Sequence, residues 1–213
     1  MIDSLLIRSR REVSPTVALA LLAQHAWTRL SIRQTILAST KTAEDGKPAT
    51  YIRIDLTQPQ ILSARDCQSL QASWRASDGN SDECTRLERL LDLPGVSPDQ
   101  PALVHYAVET DPAPGWSEDI SRWYAEEHLP GLAAVPGCIR ANRYLSLDAG
   151  PRSVACYDLS DLSVLGTDAW MRVRQTVWSD RCRPHFTNTL RTRFQSRLDL
   201  GSVGRRQAKP PTL

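Results

Sequence analysis

The hydrophobic pattern predicts short strands that alternate with helices along the whole chain. Alternating apolar and polar residues predict strands, and apolar residues spaced three to four apart predict helices. The strands are predicted at about 4–8, 32–39, 51–56, 102–108, 139–147, 153–159 and 189–198, and the helices at about 14–30, 63–74, 117–132 and 167–176. Residues 41–47, with Asp45-Gly46 among them, predict a hairpin turn. The segment 85–93 fits either a strand or a helix.

Both halves of the chain follow one order of elements: strand, helix, strand, strand, helix, strand. His25 and His128 are 103 positions apart, and so are Asp55 and Asp158. The segments 85–93 and 192–200 are 107 positions apart and have five identical residues among nine. Several matches in one order are hard to obtain by chance. The sequence therefore predicts a tandem duplication.

The repeated order is that of the ferredoxin-like split βαβ unit. One such sheet has helices on a single face, so two copies can bury their other faces by packing sheet against sheet. We predict an α+β fold in which two ferredoxin-like βαββαβ repeats form an intramolecular α/β barrel. The first repeat is predicted at 1–95 and the second at 102–200, joined by the proline-rich segment 93–101, with a disordered tail at 201–213.

A cluster of chemically active side chains occupies the helix predicted in the second half. Its sequence is Trp123-Tyr124-Ala125-Glu126-Glu127-His128-Leu129-Pro130, and Val135-Pro136-Gly137 follows it. Tyr124, Glu127 and His128 are three and four residues apart, so all three can share one helix face. Such a face forms either a hydrogen-bonded helix end or the wall of a polar pocket.

This motif, continued by Arg140-x-x-Arg143-Tyr144, resembles the EthD-like branch of the dimeric α/β-barrel superfamily. The resemblance covers mainly residues 102–195 and includes Tyr157-Asp158-Leu159 and Thr176-Val177-Trp178-Ser179. The first half retains Gln24-His25 but lacks the Trp-Tyr pair. The resemblance implies a small-molecule enzyme of polyketide or aromatic metabolism. Members include cofactor-free decarboxylases, dehydratases, cyclases, isomerases and monooxygenases, as well as stress-response proteins.

His128 is the leading candidate for acid/base catalysis. It either interacts favourably with the dipole at the helix end or transfers a proton in a cavity, where Glu127 or Tyr124 would adjust its pKa. His105 lies in the strand 102–108, where alternation places it with Leu103 and Ala107, opposite Val104, Tyr106 and Val108. That face is expected to be turned toward the space between the sheets, so His105 is either a core histidine or a second catalytic group.

The remaining candidates are residues expected to bind the substrate. Arginines suit a carboxylate or a phenolate, and large aromatic side chains suit a hydrophobic ligand or simply a core. Asp158 is matched by Asp55, which favours a structural role, and His25 marks either a second pocket or a relic of one. Trp178, His185 and Phe186 are candidates for the cavity mouth. The full set of predicted binding residues is Trp123, Arg140, Arg143, Tyr144, Asp158, Trp178 and His25.

Composition excludes several other classes of protein. The net charge of +2 is too small to indicate nucleic acid, and no stretch reaches the roughly 18 apolar residues of a membrane span. The five cysteines form no C-x-x-C pair and predict reduced thiols, and no signal peptide is apparent, so a cytoplasmic protein is expected. Neither a glycine-rich phosphate loop nor a nucleophile elbow is present. We predict no cofactor and no metal.

Two functions from different classes remain open on the sequence alone. The first is a cofactor-independent acid/base enzyme, a decarboxylase, dehydratase or cyclase, acting on a hydrophobic polyketide-like or aromatic molecule. A cofactor-free monooxygenase would use the same base. The second is a non-catalytic ligand-binding or stress-response barrel. In either case we expect a small-molecule partner, with the chain a monomeric pseudo-dimer or a homodimer.

Overall fold

The computed structural model describes residues 1–40, 49–78 and 82–201, and these contain nine strands and seven α-helices. The strands are β1 Ile2–Ser9, β2 Ile32–Ser39, β3 Thr50–Gln60, β4 Glu83–Pro94, β5 Val104–Pro112, β6 Cys138–Ser146, β7 Ser153–Leu159, β8 Phe186–Phe194 and β9 Ser196–Asp199. The helices are α1 Pro15–Leu22, α2 His25–Thr28, α3 Ala64–Asp78, α4 Ser117–Trp123, α5 Leu129–Ala133, α6 Asp168–Arg174 and α7 Val177–Cys182.

All nine strands belong to one antiparallel sheet with the order β8-β5-β7-β6-β4-β1-β3-β2-β9. Strands β4 and β6 pair from Leu87, opposite Ser146, to Pro94, opposite Arg140. This pairing joins the strands of the first half to those of the second. Strand β9 follows β8 after the single residue Gln195 and pairs with β2. Strand β8 pairs with β5 at the other end of the order, so the consecutive strands β8 and β9 connect the two edges of the sheet.

The two faces of this sheet bury different sets of side chains. The outer face carries the helices, and one apolar cluster lies under α1 to α3 while another lies under α4 to α7. The inner face buries a third cluster drawn from both halves: Leu6, Ala38, Tyr51, Leu87, Ala107, Tyr144, Val154, Cys156 and Phe194. Because both halves contribute to this inner cluster, the apolar side chains of each half cover those of the other and keep them from water.

Buried ion pairs accompany the apolar residues of the inner face. Arg8 Nε donates a 2.7 Å hydrogen bond to Glu109, whose carboxylate also accepts from the Tyr51 hydroxyl. Arg53 Nε lies 3.2 Å from Asp55. All of these side chains, the Arg8 guanidinium included, are almost completely excluded from water, so each charge depends on its partner.

The expectation of a mixed α+β fold with an antiparallel sheet is confirmed. The segment 85–93 is resolved as part of strand β4. The helix expected at 14–30 is interrupted at Gln24, whose extended backbone (ψ 152°) begins a separate short helix. Ser14 caps α1 as its position before Pro15 predicts, accepting from Val17 N. The predicted hairpin turn at 41–47 and the tail beyond residue 201 lie outside the described residues.

The segment 93–101 is held more tightly than a linker is expected to be. Strand β4 continues to Pro94. The amides of Gly95, Val96 and Ser97 then donate to the carbonyls of Ile139, Ala133 and Cys138 in turn. These bonds fix the start of β6 and the end of α5 against the connection between the halves.

Gly137, immediately before β6, has a left-handed backbone and close neighbours, whereas Gly115 has a similar backbone in open space. Their φ angles are +90° and +83°. A Cβ at Gly137 would lie 2.6 Å from Val164 Cγ2, whereas a Cβ at Gly115 meets no described atom within 4 Å. We expect Gly115→Ala to cost about 1 kcal/mol of unfolding free energy for the backbone alone. Gly137→Ala should cost about 1–3 kcal/mol more because of overpacking.

Urea unfolding of the two variants measures this difference directly. The pair shares the backbone penalty, so the extra loss in Gly137→Ala reports the contact with Val164. Equal losses in the two variants would show that the 160–164 segment moves aside without cost.

Candidate active site

A widened helical turn places the predicted acid/base residue. Helix α4 passes into a π-helical turn, Tyr124–His128, before α5 begins. The amide of Leu129 donates to the carbonyl of Tyr124, five residues back. Pro130 has no amide hydrogen for the carbonyl four residues before it, which favours a wider turn here. Residues five apart then become neighbours, and the rings of Trp123 and His128 stack with centroids 4.0 Å apart.

Trp123, Tyr124 and His128 line a narrow pocket between the helices and the outer face of the sheet. The cavity volume is about 30 Å³, the room for about two waters. Most of its walls are aromatic, and its positive charge comes from three arginines. The lining residues are Tyr106, Val108, Trp123, Tyr124, His128, Leu132, Tyr157, Trp170, Arg174, Arg183, Phe186 and Arg191.

His128 is a neutral imidazole with an unsatisfied nitrogen. Its side chain is 7% exposed, and Nδ1 has no hydrogen-bond partner among the residues that the structure describes. Burial, with the charges of Arg174 and Arg183, lowers the pKa of His128 to about 3, against a small opposing effect of the Val173 carbonyl. In the unfolded chain this histidine takes up a proton near pH 6.5, whereas in the folded chain it does so only near pH 3. Between these values a falling pH favours the unfolded chain, so stability is lost as the pH falls from 6.5 toward 3.

Glu127 supports the stacked tryptophan and does not contact His128 through a hydrogen bond. Its Oε1 accepts from Trp123 Nε1 at 3.2 Å and from Thr176 Oγ1 at 2.5 Å. Thr176 is also the N-cap of α7, where its hydroxyl accepts from Ser179 N. The carboxylate therefore ties the π-helical turn to the start of α7 and positions the indole against which the imidazole packs.

Arg143 lies beneath the phenol of Tyr124. Its guanidinium carbon is 4.4 Å from the centre of the Tyr124 ring, and its Nη atoms point to Ser121. Burial raises the pKa of Tyr124 to about 12 and lowers the pKa of Arg143 from its ordinary value. The phenol therefore stays protonated and can donate a hydrogen bond into the pocket.

His105 and Asp158 form a pair on the opposite face of the sheet. His105 Nδ1 lies 2.7 Å from Asp158 Oδ1, and Arg197 Nε is 3.5 Å from the same oxygen. Burial opposes ionisation of Asp158, but the His105 contact and the charges of Arg197 and Arg53 hold its pKa well below the usual range. The predicted alternation of β5 is confirmed, since Tyr106 and Val108 pack under the helices while Ala107 belongs to the inner cluster.

The structure separates the other predicted binding residues from the pocket. Arg140 pairs with Asp92 at 2.5 Å, and the Tyr144 ring lies on the inner face 5.5 Å from the Arg53 guanidinium. Trp178 lies partly buried between the guanidinium groups of Arg122 and Arg181. His25 is an exposed residue at the start of α2. Of the predicted residues, the structure thus brings together Trp123, Tyr124, His128 and Phe186 as pocket walls, with Glu127 and Arg143 behind them.

The three arginines at the pocket were not predicted from the sequence. Arg174 ends α6, Arg183 follows α7, and Arg191 lies on β8. Their positions share no motif, and the chain has many other arginines, so only the packing of three separate elements reveals the cluster. The aromatic walls Tyr106, Tyr157 and Trp170 were also missed as site residues, although alternation did place Tyr106 on the helix-covered face.

Within the described ranges, no group of three or more His, Cys, Asp or Glu side chains has an arrangement that could hold a metal ion. The same residues contain no helix that is both long and apolar enough to cross a membrane.

Comparison with solved structures reveals the fold to which this arrangement belongs. An anthrone oxidase-like protein superposes with a TM-score of 0.58 and 13% identity over 94% of both chains. A candidate monooxygenase from Fusobacterium nucleatum gives a TM-score of 0.55 and 9% identity over 95% of this chain and 98% of its own. These neighbours are dimeric α/β barrels. The present chain has the same fold.

A third dimeric α/β barrel, a candidate monooxygenase from Lactobacillus acidophilus, gives a TM-score of 0.53 and 8% identity over 94% of this chain and 97% of its own. At such identities the likeness concerns the fold alone. Comparison with models of protein families gives no match, and comparison with curated protein sequences gives none either.

Proposed function

We propose that this α/β barrel is a cofactor-independent enzyme that removes a proton from a hydrophobic, aromatic or polyketide-like substrate. The observation that carries the proposal is the unpaired Nδ1 of a buried, neutral histidine in an aromatic pocket beside three arginines. A neutral imidazole can accept a proton, and the arginines can stabilise the enolate or phenolate that results. The names of the three solved neighbours described above, one anthrone oxidase-like protein and two candidate monooxygenases, support an enzyme of this fold.

Each pocket residue has a specific part in this proposal. His128 accepts the proton, and the stack with Trp123 limits the rotation of its ring. Tyr124, which stays protonated, donates a hydrogen bond to the developing oxyanion. The pocket is narrower than an aromatic ring system, so the substrate must widen it on the side formed by the partly exposed arginines. Decarboxylation, dehydration and cyclisation all require only this proton transfer and charge stabilisation.

A cofactor-free oxygenase is the second candidate, and the names of the solved neighbours favour it. The same base would form a substrate carbanion, which reduces oxygen directly. For a substrate such as anthrone, the CH₂ group becomes a C=O group. One atom of O₂ enters the product and the other leaves as water, with the two protons lost from carbon.

The finer assignment to an EthD-like, tandem-duplicated barrel belongs to the same proposal. The motif from Trp123 to Pro130 and the offsets between the two halves support it. The order of strands supports it too, since β4-β1-β3-β2 and β8-β5-β7-β6 repeat one pattern. Under this proposal the barrel that relatives form from two chains is formed within one, and the first repeat has lost its pocket. Trp27 and Trp74 pack edge to face under its helices.

Anthrone tests the function because its CH₂ protons are acidic. Under nitrogen in D₂O, loss of the CH₂ proton signal measures proton removal alone. With air admitted, oxygen uptake measures oxygenation, and reactions without protein correct for the spontaneous background. Enzyme-dependent exchange supports the acid/base enzyme, and exchange with oxygen uptake supports the oxygenase. A hydrophobic ligand that binds while neither exchange nor uptake is accelerated would leave a non-catalytic binding barrel and refute the proposal.

A further inference from the structure

The pocket carries an excess of positive charge that no residue of its own lining balances. Arg174, Arg183 and Arg191 line it, and none of its twelve lining residues is acidic. Within the described part of the chain, none of the three arginines forms an ion pair with a carboxylate. Arg183 Nη1 donates a 3.2 Å hydrogen bond to the backbone carbonyl of Arg174, which does not neutralise either charge.

Two of these three arginines are not ordinary solvated surface residues, whereas Arg191 is exposed. Arg174 and Arg183 are partly buried, and they come from the end of α6 and from the turn after α7. Burial, together with the charges of Arg174 and Arg191, lowers the pKa of Arg183, against a smaller opposing effect of the nearby Asp180. Like charges held together at a partly buried place repel one another, so the folded chain bears a cost that an anion would relieve.

We infer that the substrate of this pocket carries a carboxylate before any chemistry occurs, and that the three arginines bind it while the aromatic walls hold its ring system. The inference rests on the proposed function in that it names the substrate class of the same site. Guanidinium groups match carboxylates in geometry and can bind them through two parallel hydrogen bonds. The walls formed by Tyr106, Tyr157 and Trp170 supply the apolar part of the recognition.

A bound carboxylate would also change the protonation of His128. Arg174 and Arg183 disfavour the imidazolium, and an anion between them would offset that effect. Binding of the substrate would thus raise the proton affinity of the base at the moment when the base is needed. The titratable and charged groups that face this histidine and the pocket are Tyr106, Tyr124, Tyr157, Arg174, Arg183 and Arg191.

The test compares benzoate with benzamide, which have nearly the same shape and differ in charge. Isothermal titration calorimetry measures both affinities, and NMR of labelled histidine measures the titration of His128 with and without benzoate. We expect benzoate to bind about tenfold more tightly than benzamide, with an effect that shrinks at high salt. We also expect benzoate to shift the His128 titration to higher pH.

Matched arginine variants locate the effect. Arg174→Gln and Arg191→Gln should each weaken benzoate binding roughly tenfold and leave benzamide unaffected. The controls are Arg172→Gln on the same helix and Arg193→Gln on the same strand, both exposed and outside the pocket lining. Circular dichroism verifies that all four variants fold.

Three results would overturn the inference: equal affinity for benzoate and benzamide, no binding of either by the unmodified protein, or the same loss in the control variants. Equal affinities would leave the proton-transfer proposal standing. Normal benzoate selectivity without accelerated proton exchange from either anthrone or an anthrone carboxylic acid would instead refute the enzyme and leave this inference intact.

Discussion

Replacing His128 with glutamine is expected to slow the removal of a proton from anthrone by roughly 10²–10⁴-fold, the usual contribution of a positioned general base. Glutamine retains hydrogen bonding and much of the volume but cannot accept the proton. The reason lies in the burial of the imidazole, which keeps His128 neutral and leaves Nδ1 without a partner. The rate of CH₂ exchange in D₂O under nitrogen measures this loss.

His185 provides the matched control. It lies just before Phe186 of the pocket wall, stacks on Trp116 with ring centroids 3.5 Å apart, and is not a lining residue. His185→Gln should leave the exchange rate within about twofold of the parent, because the site retains its base. If His128→Gln exchanged the protons as fast as the parent, the base would have to be another group, and the proposed mechanism would be wrong.

Glu109→Ala is expected to lower the free energy of unfolding by about 3–5 kcal/mol, because it leaves Arg8 as an uncompensated charge inside the barrel. Arg8 Nη2 lies 2.6 Å from Glu109 Oε1, and the Tyr51 hydroxyl donates to the other oxygen. These residues come from β1, β3 and β5, so the pair links the two halves across the inner face. Urea unfolding followed by circular dichroism measures the loss.

Two further variants show whether the unpaired charge is the cause. Glu83→Ala, at an exposed position on β4, should change the unfolding free energy by less than about 0.5 kcal/mol. The double variant Arg8→Met, Glu109→Leu removes both charges and should recover most of the stability lost in Glu109→Ala. A double variant as unstable as the single one would indicate that lost packing, and not the orphaned charge, is responsible.

Local patterns were sufficient for much of the fold. The alternation in 102–108 correctly separated His105 from Tyr106, because side chains on a strand point to opposite faces in turn. Ser14-Pro15 correctly marked the start of α1. The segment 85–93 could not be assigned, because a short apolar run fits either period, and only pairing with β1 and β6 makes it a strand.

The candidate site was harder to predict because its geometry depends on contacts between distant elements. An ordinary α-helix would place Tyr124 beside His128, as the sequence predicts. The π-helical turn keeps Tyr124 edge-on to His128, with ring centroids 5.5 Å apart, but it also stacks Trp123 on that histidine and turns Glu127 to Trp123 and Thr176. No spacing rule distinguishes such a turn in advance. His105, one of the candidates for a second catalytic group, lies on the inner face of the sheet, whereas His128 lies in the helical layer over the outer face.

The sequence by itself determined most of the elements and their order, the faces of strand β5 and the helix that bears the acid/base candidate, since these follow from residue periodicity and local capping. It left the segment 85–93 open and did not indicate helix α7. The tertiary structure alone decided which side chains share the pocket. Arg174, Arg183 and Arg191 meet there because α6, the turn after α7 and β8 pack around one point. Burial and like charge then lower the pKa of His128, and both depend on distances in space that the order of residues does not contain.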